Sequence, residues 1–387
     1  MRESSPEFDH LTAHDLRAAG SVKWTKYGGD VIGAFVAEMD FGTAPPVVAA
    51  LQEAVAAGRF GYLPPDLAAA LARATAQWQV RRYGWQVAPE QILAVPDVLT
   101  AFELTMHHFT PPDSPVILPT PNYMPFTSIP GYYRRRVIEV PMQRDADGVY
   151  RLDLAGIDAA FAAGGRLLVL CQPANPVGRV FTASELAAVA ELVARHRGRV
   201  FADEIHAPLV YPEHRHVPYA SVNETAAAHA VTAVSASKAW NLPGLKCAQV
   251  ILPPDDVDAW QRVGGTGSAL PSTLGAVASI AAYREGGRWL AGVLRYLDRN
   301  RRELASALAT HLPEVGYRPP EGTYLAWLDV RRLGLAEPAR FFLEKAGVAL
   351  VDGADCGAAG RGYLRLNFAT PLPILTRIVT RMAHALR

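Results

Sequence analysis

Lysine is scarce in this chain. Of 38 lysines and arginines, only Lys23, Lys26, Lys238, Lys246 and Lys345 are lysine. Arginine stays protonated in proteins, so nearly all the cationic side chains are excluded as amine nucleophiles. Cysteine is scarcer still. Cys171, Cys247 and Cys356 are too few and too scattered for a disulfide framework or a zinc site, and they suit a reducing cytoplasm. Charge of one sign is missing as well: a net charge of +1 gives no electrostatic case for nucleic acid or an anionic membrane surface. No apolar run reaches the ~18 residues of a transmembrane helix. The polar, acidic stretch Met1 to His10 leads us to expect no signal peptide. The expectation is a soluble cytoplasmic protein, and 387 residues imply two domains.

What is present is an alternation of short β-branched runs with helical patterns. Predicted strands are Ile92–Val95, Val116–Leu118, Arg136–Val140, Leu167–Cys171, Arg199–Ala202, Ala230–Val234 and Ala248–Leu252. Thr182 and Glu185 form a capping-box pattern that opens a helix through Leu186, Val189, Leu192 and Val193, with Gly198 as its expected C-terminal cap. Another helix is expected over Asp66–Tyr83, with Asp66 as N-cap and Gly84 beyond its end. Such β-α-β alternation implies an α/β fold with a mostly parallel, doubly wound seven-stranded sheet. After Tyr283 the pattern becomes a long helix near 289–311, a strand at Tyr324–Asp329, a helix near Pro338–Ala346, a strand at Tyr363–Phe368 and a final helix. The expected division is a large domain at 46–285 and a smaller α+β domain from 1–45 and 286–387. Arg134 to Arg136 reads as a solvated strand end, and Gly264-Gly-Thr-Gly267 as a loop without a nucleotide fingerprint.

In a doubly wound sheet the ligand lies at the carboxyl ends of the strands. Asn175 follows the strand ending at Cys171, Asp203 follows Ala202, and Ser235, Ser237 and Lys238 follow Val234. An amide, a carboxylate and an amine thus meet in one crevice. Pyridoxal phosphate requires this set: an amine for its aldehyde, a carboxylate to keep its ring nitrogen protonated, and a donor for its 3-oxygen. Its phosphate requires hydroxyls, a cation and a helix start. Ser235 and Lys246 are candidates for the first two, the amides of Val98 and Leu99 for the third, and Tyr123 could stack on the ring. Taken singly, Asn175 between prolines also suits a turn, Asp203 a helix cap and Tyr123 simple packing. The stretch Asp203-Glu-Ile-His206 with His214 and His216 matches no standard zinc motif, so no metal is expected.

Asn-Pro-Val-Gly at 175–178, Ala-Asp-Glu-Ile-His at 202–206 and Ser-Ala-Ser-Lys-Ala-Trp-Asn-Leu-Pro-Gly-Leu-Lys at 235–246 resemble the class I/II aminotransferase superfamily of fold-type I pyridoxal-phosphate enzymes. Within it the chain is most similar to the cystathionine β-lyase (MalY/PatB-type C–S lyase) branch. The stretches that carry this are Ser-Val-Lys-Trp-Thr-Lys-Tyr-Gly at 21–28, Phe-Val-Ala-Glu-Met-Asp-Phe at 35–41, Gly61-Tyr62, Pro-Glu-Gly-Thr-Tyr-Leu-Ala-Trp-Leu at 320–328 and Leu-Arg-Leu-Asn-Phe-Ala-Thr-Pro at 364–371. The resemblance runs from about residue 20 to the end. It implies that Lys238 binds the cofactor covalently, that Asp203 pairs with the ring nitrogen and that Asn175 donates to the 3-oxygen. Tyr123 would stack on the ring, and His206 would line its far side or assist the 3-oxygen. Ser235, Ser237 and Lys246 would hold the phosphate, with Tyr62 reaching the phosphate of a neighbouring subunit in a homodimer with shared sites. Arg365 would take the substrate carboxylate in a bidentate grip, beside Asn175 and Tyr123. Ala174, Glu38, Trp240 and Pro243 depart from the branch, which often has histidine, aspartate, phenylalanine and alanine there, and are expected to reshape the substrate pocket.

The implied reaction is α,β-elimination from cystathionine or a related cysteine conjugate, yielding thiol, pyruvate and ammonia. An aminotransferase is the rival, because both reactions use one cofactor cradle. A cofactor-binding regulatory protein is a third reading, against which stand the absence of a basic patch and the presence of every expected catalytic group.

Overall fold

A computed structural model describes residues 8–264 and 271–387. Most of Met1 to His10, and Gly265 to Gly267 of the glycine cluster, lie outside the described residues. The main sheet has seven strands: β1 (Ile92–Val95), β2 (Val116–Thr120), β3 (Val137–Pro141), β4 (Leu167–Cys171), β5 (Arg199–Asp203), β6 (Ala230–Val234) and β7 (Ala248–Ile251). Their order is β1-β7-β6-β5-β4-β2-β3. Only β7 runs antiparallel, to both β1 and β6. The unbroken apolar runs of β4 and β6 are explained by this geometry: helices cover both faces, and every residue of both strands is buried.

A second, antiparallel sheet comprises β8 (Gly316–Tyr317), β9 (Leu325–Asp329), β10 (Val351–Asp352) and β11 (Tyr363–Asn367), in the order β8-β9-β11-β10.

Helix α1 (Pro65–Tyr83) ends on Gly84 at φ 73°, as expected, but its N-cap is Pro64 and Asp66 lies inside the first turn. Proline with its fixed φ suits that first turn, so no side-chain cap is needed there. Helix α2 (Val98–His108) starts on Asp97, whose side chain accepts from the Thr100 amide. Helix α3 (Ala183–Arg195) opens with the expected capping box: the Glu185 amide donates to Thr182 Oγ1 at 3.3 Å, and Glu185 Oε2 accepts from the Thr182 amide at 2.7 Å. Its end differs from expectation. Arg197, at φ 50°, takes the left-handed position, and Gly198 follows it. Gly198 is required for space instead, since a Cβ there would lie 2.4 Å from the Phe161 ring.

Helix α4 (Gly287–His311) buries Leu290, Val293, Leu297, Leu304 and Leu308 on one stripe. Each such side chain contributes about 1.5–3 kcal/mol on burial. The same stripe carries Asn300, whose amide donates to the Phe368 and Thr370 carbonyls at 3.0 and 2.8 Å and fixes the chain leaving β11. Helix α5 (Leu372–Ala385) packs beside it. Of the expected solvated strand end, Arg134 and Arg136 are exposed, but Arg135 is buried, donating to Thr110 Oγ1 at 2.7 Å and Ser114 Oγ at 3.3 Å, and β3 starts only at Val137. Among the described residues no helix is long and apolar enough to cross a membrane.

Candidate active site

The parallel register sets the site. Cys171 at the end of β4 pairs with Asp203 at the end of β5, and Asp203 pairs with Ala233 of β6. The chain leaving each strand therefore reaches the same edge of the sheet. There Asn175, Asp203, His206 and Tyr123 line a cavity of about 190 Å³. Ser235, Ser237, Lys238 and Lys246 line it too, as do Val98 and Leu99 at the start of α2.

Burial dominates the floor of this cavity. It disfavours the charge of Lys238, lowering that amine to about 8, with the Arg365 charge adding to the effect. Lys238 Nζ donates to the Ala37 carbonyl at 2.9 Å. Burial likewise raises Asp203 to about 6, against hydrogen bonds from the Ile205 amide and the Cys171 thiol. His206 is pushed down to about 3 by burial and by Lys238, so its ring is neutral, and its Nδ1 has no partner. The Tyr324 ring meets it edge-on at 5.8 Å. Burial also raises the Tyr123 phenol.

The opposite end is built for an anion. Val98 and Leu99 are the first residues of α2, where amides have no acceptor within the helix. Lys246 Nζ lies 2.8 Å from Asp97 Oδ2 at that helix start. Ser235 Oγ donates to the Cys247 carbonyl at 2.7 Å and accepts from the Ser237 amide at 3.0 Å, shaping the turn that presents Lys238.

Arg365 is buried on β11 beside the cavity. Its Nη1 donates to Asn175 Oδ1 at 3.2 Å and its Nη2 to the Phe35 carbonyl at 2.8 Å, while Nε has no partner. Tyr62 is not brought in: it is 90% exposed and lies outside the cavity wall. Of the four departures, Pro243 lines the cavity and Trp240 does not. Trp240 is buried, donates to the Gly286 carbonyl at 3.0 Å and packs on Trp78 and Tyr283, so its effect falls on the core.

Sequence reasoning singled out the stretch at 35–41 but missed what its main chain does. Its Ala37 carbonyl accepts from both Lys238 and Tyr324, and its Val36 and Glu38 carbonyls accept from Asn367. The buried pair Lys23–Asp40, at 2.8 Å, anchors its end. Main-chain acceptors leave no side-chain signature. Asp97 was findable, since an aspartate before an apolar helical run is a capping signal.

Pyridoxal phosphate fits this donor set. An amine with a lowered pKa, a buried carboxylate, an amide, a helix start with a lysine, and an aromatic ring share one cavity, whose wall includes the buried His206 with no partner for Nδ1. Among the described residues, no group of histidine, cysteine, aspartate and glutamate side chains could hold a metal ion.

Known proteins agree with that fit. The family model described as aminotransferase class I and II matches residues 30–381. A Corynebacterium glutamicum protein named cystathionine beta-lyase is 38% identical over 376 residues, covering 96% of this chain and 98% of its own length. The Bacillus subtilis cystathionine beta-lyase PatB is 34% identical over 380 residues, covering 95% and 96%. Cystalysin from Treponema denticola, whose crystal structure contains pyridoxal 5'-phosphate, superposes with a TM-score of 0.92 at 28% identity, covering 98% of both chains.

Proposed function

The chain belongs to the aminotransferase class I and II family, and on that premise we propose that it is a pyridoxal-phosphate-dependent carbon–sulfur β-lyase acting on cystathionine or a related cysteine conjugate. The observation that carries this reading is the single cavity shared by Lys238, Asp203 and the start of α2, in a chain similar over its length to cystathionine β-lyases. When bound, the cofactor supplies the electron sink that allows the Cα–H and Cβ–S bonds to break.

The side chains divide the remaining work. Lys238 would hold the cofactor through its aldehyde and, when freed, would take the proton from the substrate Cα. Its lowered pKa leaves a free-base fraction near neutral pH. Asp203, as a carboxylate, holds a proton on the ring nitrogen. Asn175 gives its oxygen to Arg365, which leaves its amide hydrogens for the 3-oxygen. Tyr123 and His206 would pack on the ring, and Arg365 would clamp the substrate carboxylate. Ser235, Ser237, Lys246 and the amides of Val98 and Leu99 hold the phosphate. One water is consumed as the released enamine hydrolyses, so the products are a thiol, pyruvate and ammonia.

A homodimer belongs to the same reading, with Tyr62 reaching the phosphate of the partner's site. Support comes from its 90% exposure beside Phe60, itself 68% exposed, an arrangement that a second copy would cover. The three free, buried cysteines suit a cytoplasmic setting.

The test is turnover of cystathionine by the purified holoenzyme without any keto acid. Catalytic release of pyruvate and thiol is expected. Turnover that appears only with an added keto acid would make the protein an aminotransferase and overturn the reading.

A further inference from the structure

Cys171 is a thiol that the proposed reaction does not use. It ends β4, is buried, and stands directly across from Asp203 in the sheet register. Its Sγ lies 3.0 Å from Asn122 Oδ1 and 3.8 Å from Asp203 Oδ2. Asn122 is itself fixed twice: its Oδ1 accepts from the Tyr123 amide at 2.7 Å, and its Nδ2 donates to the Pro119 carbonyl at 2.9 Å. Asp203 Oδ1 accepts from the Ile205 amide at 3.1 Å. Among the described residues, the thiol is the one hydrogen-bond partner of Oδ2.

We propose that Cys171 is a positioning residue, its thiol proton shared between Asn122 and Asp203, that sets the orientation of the Asp203 carboxylate and links it to the loop carrying Tyr123. The inference rests on the cofactor reading given above. A carboxylate oxygen has two lone pairs, so one donor orients Oδ2 and still leaves it free to accept from a cationic ring N–H. Burial and the neighbouring Asp203 charge keep the proton on sulfur, so the thiol remains a donor as pH changes. The groups facing Asp203 are Lys238, which favours its charged form, and Glu204 and Tyr123, which do not. Donation from Cys171 adds to the favourable side.

The experiment compares wild type with Cys171→Ser, Cys171→Val and Cys171→Ala. Serine keeps a donor, valine fills a similar volume without one, and alanine leaves a cavity. The readout is the dissociation constant of pyridoxal phosphate across pH 5 to 8, followed by absorbance, with Tm measured alongside. The cofactor's own titrations are common to all four proteins and cancel in the comparison. Loss of the donor makes Asp203 easier to protonate, so the acid limb of binding in the valine and alanine variants moves up by about half a pH unit or more. At neutral pH their affinity falls about three- to tenfold. Serine tracks wild type. A valine variant that titrates with wild type overturns the inference, and so does a serine variant that shifts with valine. A change in Tm without a shift of the limb reduces Cys171 to packing. Wild-type protein that binds no cofactor at any pH overturns the cofactor reading itself, a result distinct from the others.

Discussion

The two ends of the cavity obey different electrostatics. At the rim, Lys246 and Asp97 form an ion pair whose side chains are 62% and 33% exposed. Water screens such a pair, and it contributes only about 0–1 kcal/mol to stability. An arriving phosphate can take over the Lys246 ammonium at little cost. At the floor, Asp203 and His206 are buried and Lys238 is half-buried, and desolvation moves all three toward their neutral forms. A group left unpaired there loses far more. The floor therefore sets the chemistry and the pH dependence of binding, while the rim adds affinity that salt can screen.

The largest expected effect comes from removing the amine at the floor. Lys238→Ala should lower elimination by at least roughly 10²–10⁴-fold, the usual contribution of a positioned general base, and abolish the visible band of covalently bound cofactor. An active, coloured variant would remove Lys238 from its role. Asp203→Asn keeps shape without charge and should keep the covalent band while losing roughly 10²-fold in kcat. The same carboxylate has a signature in the apoprotein. Its folded pKa, about 6, lies above its ordinary 3.8, so the folded state holds the proton more tightly. Its contribution to stability is full below pH 3.8 and lost as pH rises through about 6. Lys238 has the opposite sign: lowered from 10.5 to about 8, it contributes stability above pH 10.5 that is lost as pH falls through 8. Thermal unfolding of the apoprotein across pH 4 to 7 should show the first trend in wild type and not in Asp203→Asn. An identical profile in both would place the effect elsewhere.

The contrast between floor and rim also bears on what could be read from sequence. Lys238, Asp203 and Asn175 were legible because a parallel sheet delivers every strand end to one edge, so local position implied convergence. The capping box of α3 was legible because its bonds span three residues. Failures came where long-range packing decides. Arg135 looked like a surface charge until Thr110 and Ser114 closed around it. Gly198 looked like a cap, yet the Phe161 ring is what excludes a side chain there. Trp240 sat inside the most informative motif and proved to be core, packed on Trp78 from α1. Ala37 offers only a carbonyl, and a carbonyl 201 residues from Lys238 has no sequence pattern.

The smallest effect tests the rim. Lys246→Gln removes a charge that Asp97 meets at 2.8 Å in a solvated setting. Apoprotein stability should change by no more than about 0.5 kcal/mol, because the exposed pair contributes little and Asp97 keeps its bond to the Thr100 amide. Cofactor affinity should fall about tenfold, since a phosphate bound at this helix start would lose the Lys246 charge. The loss should shrink as salt is raised, because the rim is screened while the floor is not. Equal losses at low and high salt would mean that Lys246 acts from a site as dry as that of Asp203, and the division between rim and floor would fail.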